Sequence, residues 1–203
     1  MTTVMTDKVL AETIGACEGS ALRVKEAALV AFGVALITVF AKVSVPMWPV
    51  PITMGTFAVL CVGALYGPRL GLVTVLAYML VGAAGFDVFV GSSAQDHGWR
   101  YMTGSTGGYL IGYVLATLTL GIFARFGYAR TPLKLALAFF VGNVMIYVPG
   151  ALWLGQLYGW DKPIFAWGVA PFLLGDAVKI ALAAMLLPRG WQVLDRLRRS
   201  GAA

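Results

Sequence analysis

Asp176 and Lys179 lie three residues apart inside the apolar stretch that runs from Pro171 to Ala184. On a helix that spacing puts an acid and a base on one face, and neither is stable facing lipid. The pair must look inward. One account is that the two charges neutralise each other and tie helices together. The other is that they grip a polar solute within the membrane, since an intramembrane ionisable residue is a functional hypothesis by default. A buried carboxylate accepts N–H groups, and an ammonium donates to a carboxylate or a carbonyl oxygen. The pair alone names no ligand.

Asn143 and Tyr147 stand four apart in another apolar run, so they share a helix face. A buried amide in lipid must find a partner. Either it bonds a neighbouring helix or, if its face turns toward Asp176, it offers a ligand a second polar contact. Three connecting segments could complete such a site. Val45 to Thr53 holds Pro46, Pro49 and Pro51, which break a helix; this segment either roofs a site or forms an interfacial turn anchored by Trp48. The long connection from Phe86 to Gly104 carries Phe89, Trp99 and Tyr101, which could cover a ligand. Gly104 to Tyr109 opens a helix, where Gly107 and Gly108 let a ligand approach the backbone, unless Ser105 or Thr106 merely caps the helix. Trp48, Thr53, Phe89, Gly108 and Tyr109 thus join Asp176, Lys179, Asn143 and Tyr147 as candidate binding residues.

The elements that must position them are membrane helices. The chain has 203 residues, 60% of them hydrophobic and only 12% charged, and its mean hydropathy is +0.84. A soluble domain is far more polar. With roughly 20 apolar residues needed per crossing, apolar runs at about 26–45, 52–67, 69–90, 105–126, 133–158 and 164–187 predict an all-α integral membrane protein of six transmembrane helices. Residues 1–24 then form an N-terminal tail, 25–188 the membrane domain and 189–203 a basic C-terminal tail on the lipid surface, with Trp191 at the interface. Gly63, Gly67 and Gly71 recur every four residues around the turn Gly67-Pro68-Arg69, as do Ala27, Ala31 and Ala35 in the first span. Small residues at that spacing let helices approach closely. The alanine strip is either a docking face for another protein or a packing face of the bundle.

An even number of spans puts both termini on one side. Lys8, Arg23, Lys25, Arg69, Arg125, Arg130, Lys134, Arg189, Arg196, Arg198 and Arg199 fall on that side, and Lys42, Arg100 and Lys162 on the other. The positive-inside rule makes the terminal side cytoplasmic. The net charge of +6 is therefore an orientation signal rather than a nucleic-acid site. The first residues include Asp7, Glu12 and Glu18 and lack a continuous apolar core, unlike a cleaved signal peptide. No phosphate-cradling Gly-x-x-x-x-Gly-Lys-Ser/Thr stretch occurs, so any ATP-driven step needs another chain. Cys17 and Cys61 suggest neither a disulfide nor a metal site, and the lone His97 is read as solvated.

Three groups of residues resemble one family. They are Pro49-Val50-Pro51-Ile52-Thr53 with Gly67-Pro68-Arg69-Leu70-Gly71; Thr106-Gly107-Gly108-Tyr109-Leu110-Ile111-Gly112; and Gly142-Asn143 to Tyr147 with Pro171-Phe172 to Lys179. In this order they resemble the BioY family, biotin-binding S components of energy-coupling factor (ECF) transporters, over about residues 25–187. The resemblance implies a six-helix bundle in the bacterial plasma (inner) membrane that captures biotin from outside. It also implies partners: a transmembrane coupling protein, met at Ala27, Ala31 and Ala35, and two ATP-binding cassette ATPases, the only subunits to use ATP. No cofactor is implied, and biotin is cargo. Asp176, Lys179 and Asn143 become ligand contacts by the same resemblance. Biotin offers two ureido N–H donors, a ureido carbonyl, an apolar sulfur ring and a carboxylate, which such a site can match.

The chain departs from the family pattern in having Gly55 where a glutamine is frequent and Ser105 where a proline is frequent. The first lowers the weight of span two as a contact surface. Two other functions compete. Asp176 and Lys179 could exchange protons with a solute in a self-sufficient secondary transporter or channel for biotin or another small vitamin. An intramembrane enzyme would use the same acid and base, but no nucleophile, metal triad or second carboxylate accompanies them.

Overall fold

The computed structural model describes residues 8–13, 19–90 and 97–200. Asp7, Cys17, Glu18 and Asp96, as well as the side chains of Arg198 and Arg199, lie outside the described residues and side chains. The first long helix is α2 (Ser20–Lys42), preceded by a single turn α1 (Leu10–Thr13). The helices α3 (Gly55–Ala83), α5 (Gly107–Arg125), α6 (Pro132–Tyr158) and α8 (Phe172–Ser200) follow, with short turns α4 (Gly98–Met102) and α7 (Ile164–Gly168) between them.

Five of the described stretches are long and apolar enough to cross a membrane, yet the chain makes six crossings. Helix α3 is two limbs. Gly67 at its middle has φ 78 and ψ −179, a conformation that L side chains rarely adopt, and Pro68 follows it. Beyond that break the chain reverses. A Cβ on Gly71 would lie 3.5 Å from the Gly63 Cα, whereas eight residues of straight helix would separate them by about 12 Å. The repeated glycines therefore let the two limbs, 55–66 and 68–83, touch backbone to backbone.

The observed limits correct several predicted boundaries. Helix α2 begins at Ser20, inside the stretch expected to be a tail, and the second limb of α3 ends at Ala83 rather than near residue 90. The last crossing starts at Phe172, because residues 164–171 form α7 and a turn. Helix α8 then continues through Pro188 to Ser200, so residues 189–200 extend the helix rather than forming a separate tail. A proline inside a helix removes one backbone bond without forcing the chain to stop. Trp191, expected at the lipid interface, is instead buried, with the Arg130 guanidinium 4.7 Å above its ring.

The core is formed by α3 and α5, whose inward faces carry Val59, Leu60, Val62, Val75, Ala116 and Leu120, all nearly inaccessible. Gly63 and Gly71 both meet Thr117 of α5. Helix α2 joins this core along Gly33, Ile37 and Ala41, with the Tyr66 hydroxyl donating to the Leu29 carbonyl at 2.9 Å. At the end away from the termini, Ser44–Val45 and Ile52–Thr53 pair as a minimal antiparallel hairpin. Its proline-rich tip includes a cis Trp48–Pro49 bond.

Candidate functional site

At that far end a cavity opens between the hairpin, both limbs of α3, the start of α5, the middle of α6 and the start of α8. Its wall includes Val50, Pro51, Thr53, Thr56, Tyr78, Phe89, Tyr101, Thr106, Tyr109, Leu110, Tyr113, Ile146, Tyr147, Phe172, Asp176 and Lys179. The proline-rich segment thus roofs the cavity. Ser105 holds it there: its hydroxyl donates to the Pro49 carbonyl at 2.7 Å. Thr106 stands at the N-cap of α5, but neither its hydroxyl nor that of Ser105 bonds the helix N–H groups, which corrects the account of side-chain capping.

Asp176 and Lys179 face inward as their spacing requires, each with a side chain only 6% exposed. The Lys179 Nζ donates to Asp176 Oδ1 at 3.0 Å and to Thr56 Oγ1 at 2.9 Å. The Tyr147 hydroxyl donates to Asp176 Oδ2. Both carboxylate oxygens and two of the three ammonium hydrogens are therefore engaged, the condition under which a buried ion pair is tolerable. An acid and a base neutralised at this range suit gripping a solute better than transferring a proton.

Around the pair stands an aromatic enclosure. Phe89 stacks on Tyr101 with centroids 4.8 Å apart and meets Tyr78 edge-on at 5.3 Å. Phe172 bridges Tyr109 and Tyr147 at 6.3 and 6.0 Å. The Tyr109 hydroxyl is committed to the Gly168 carbonyl at 2.7 Å, so it offers a ligand its ring rather than its hydrogen. Lys42, at the end of α2, bonds both the Asp87 carboxylate and, at 2.8 Å, the Phe89 carbonyl. That contact fixes the segment presenting Phe89. The free space among these side chains is about 40 Å³, room for water but not for a bicyclic solute.

Of the residues expected from sequence, the fold brings Asp176, Lys179, Tyr147, Thr53, Phe89 and Tyr109 to this cavity. Three do not line it. Trp48 is 66% exposed and packs edge-on against Trp167 and Tyr158 on the surface. Gly108 serves packing, since a Cβ there would come within 2.4 Å of the Pro149 carbonyl and the Trp153 Cβ. Asn143 is buried one turn along α6 from Tyr147 but stands outside the cavity wall. Trp99 is exposed as well. Sequence reasoning missed Thr56, Tyr78, Tyr113 and Phe172. Tyr113 and Phe172 carried a signal, lying one turn after Tyr109 and one turn before Asp176 on the same faces; Tyr78 had none, because an aromatic residue in an apolar span is ordinary.

Ala27, Ala31 and Ala35 are exposed. They lie about 120° around α2 from the buried Gly33, Ile37 and Ala41, off the face that packs against the core.

A profile of the BioY family matches residues 11–196. A "Probable biotin transporter BioY" of Pyrococcus horikoshii is 38% identical over 168 residues, covering 83% of this chain and 97% of that protein. The "Biotin transporter BioY" of Thermotoga maritima is 31% identical over 156 residues, covering 76% and 89%. The fold matches a crystal structure of the S-component for biotin from an ECF-type ABC transporter, with a TM-score of 0.75 at 23% identity, over 87% of this chain and 95% of that one. With its profile match spanning all the membrane helices, this chain belongs to the BioY family.

Proposed function

We propose that this protein is the biotin-capturing subunit of an uptake system, binding the vitamin without altering it. The buried Asp176–Lys179 pair, supported by Thr56 and Tyr147 and walled by aromatic rings, carries this reading. Asp176 accepts ureido N–H groups, Lys179 donates to an oxygen of the ligand, and Phe89, Tyr101, Tyr109 and Phe172 pack the sulfur ring. Thr53 lines the same wall, but its hydroxyl accepts from the Gly55 N–H at 2.6 Å and so shapes the roof. Asn143 supplies an amide one turn deeper along α6. Binding requires the roof and Tyr147 to part, because a space of about 40 Å³ does not admit biotin.

The partners are a transmembrane coupling protein and two ATP-binding cassette ATPases. The exposed Ala27, Ala31 and Ala35 strip supports a docking face for the coupling protein. The clustering of Arg23, Arg69 and Arg125 at the end bearing the termini supports a cytoplasmic location for that end. Equilibrium binding of biotin to the purified, detergent-solubilised chain tests the function. Tight binding that disappears in folded Asp176→Asn and Lys179→Ala variants is expected; no binding by the well-folded parent would overturn the assignment.

A further inference from the structure

A second, larger cavity of about 1060 Å³ lies at the opposite end of the bundle, between α2 and the second limb of α3. Its walls are apolar: Val30 and Val34 on α2 face Leu70, Val73, Ala77 and Val81 on α3. From Val73 to Val81 that wall extends about 12 Å along the helix axis. The two helices cross tightly at one point, where a Cβ on Gly33 would come within 2.5 Å of the Thr74 Cγ2, and the cavity fills the gap beside the crossing. Its rim is charged, with Lys8, Arg23, Lys25, Arg69 and Arg125 against Glu12 and Glu26. Arg125 and Glu12 satisfy each other in a two-bonded pair. Arg23 and Arg69 are exposed and make no ion pair among the described residues. The slot is thus apolar at membrane depth, with Arg23 and Arg69 where the helices leave the membrane.

We propose that this slot holds one anionic phospholipid, its acyl chain lying between Val30, Val34, Val73 and Ala77 and its phosphate held by Arg23 and Arg69. The charge pattern selects the occupant. An uncharged or zwitterionic lipid would fill the apolar slot equally well but would leave Arg23 and Arg69 without a counter-charge, whereas an anionic headgroup pairs with planar guanidinium groups. The site is separate from the Asp176–Lys179 cavity and does not depend on the vitamin assignment. The alanine strip forms one of its walls, so the lipid shares the proposed docking face.

Native mass spectrometry of the full chain, released from detergent containing equal phosphatidylglycerol and phosphatidylcholine, tests this. One retained phosphatidylglycerol per chain is expected, preferred by about thirtyfold, the factor that two arginines near a membrane surface supply. Arg23→Gln with Arg69→Gln should abolish the preference, and Val73→Trp, which fills the slot and keeps the charges, should abolish retention. Arg189→Gln with Arg196→Gln on the distal part of α8 should change neither. Circular dichroism confirms that each variant is folded. Equal retention of the two lipids, loss of preference in the α8 variant, or undiminished retention in the Val73→Trp variant would overturn the proposal. So would displacement of the lipid by millimolar inorganic phosphate, which would mark a plain anion site.

Discussion

Lys179 and Thr56 lie 123 positions apart in the chain and meet at 2.9 Å, the lysine ammonium donating to the threonine hydroxyl. Through this bond the helix carrying the buried ion pair is tied to the first limb of α3. The roof hairpin ends at Thr53, directly before that limb. The buried pair and the roof thus share the first turn of α3 as a common support.

Charge removal at the pair should separate folding from binding. Asp176→Asn leaves the buried Lys179 ammonium without its counter-charge, a loss of about 3–5 kcal/mol. Asp176→Asn combined with Lys179→Met removes both charges and should recover much of the thermal stability in detergent. It should not recover biotin binding. Melting curves beside binding isotherms check this, and a double variant that binds like the parent would refute the assigned contacts.

Tyr147 occupies Asp176 Oδ2, the oxygen that a ligand N–H would also seek. Tyr147→Phe keeps the ring against Phe172 and removes one hydrogen bond to a charged group, which should lower stability by about 1.5–3 kcal/mol. Because the hydroxyl competes with the ligand for Oδ2, biotin affinity should be kept or raised, in contrast to its loss in Asp176→Asn. Titration of both variants under one set of conditions gives the comparison.

Gly67 is required by its backbone. At φ 78 and ψ −179, an alanine is strained by about 1–3 kcal/mol, and its Cβ would also press on Val9 at 3.1 Å. Gly67→Ala should lower the melting temperature in detergent while leaving the far-end cavity chemically intact. Unchanged stability would mean that the turn between the limbs relaxes.

Ala31 tests the division of labour between the two ends. Ala31→Trp places a large ring on an exposed face, so biotin binding by the isolated chain should be unchanged. Co-purification with the coupling protein and ATP-dependent uptake should be lost. Uptake by the parent with ATP held constant should survive an uncoupler; collapse would favour a self-sufficient, proton-coupled transporter.

Much of this protein was legible in its sequence because lipid leaves few choices. Backbone groups with no water to bond must form helices, so the apolar runs alone determined an all-α membrane protein. The three-residue spacing of Asp176 and Lys179 determined that both point inward together. Gly67-Pro68 marked the reversal between spans two and three, and the prolines before Thr53 marked an irregular outer segment. Tertiary structure decided what those features meet. Trp48 and Phe89 are both aromatic residues of outer connections, yet one projects 66% exposed and the other is 1% exposed over the cavity. The difference arises because Lys42 pins the Phe89 carbonyl while Trp48 rides the outer tip of the hairpin. Gly108 resembled a ligand turn in sequence and proved to be a helix contact, since what a glycine admits depends on the neighbouring helix. Thr56 became part of the site only through the register of α3 against α8, a consequence of long-range packing that no local spacing encodes.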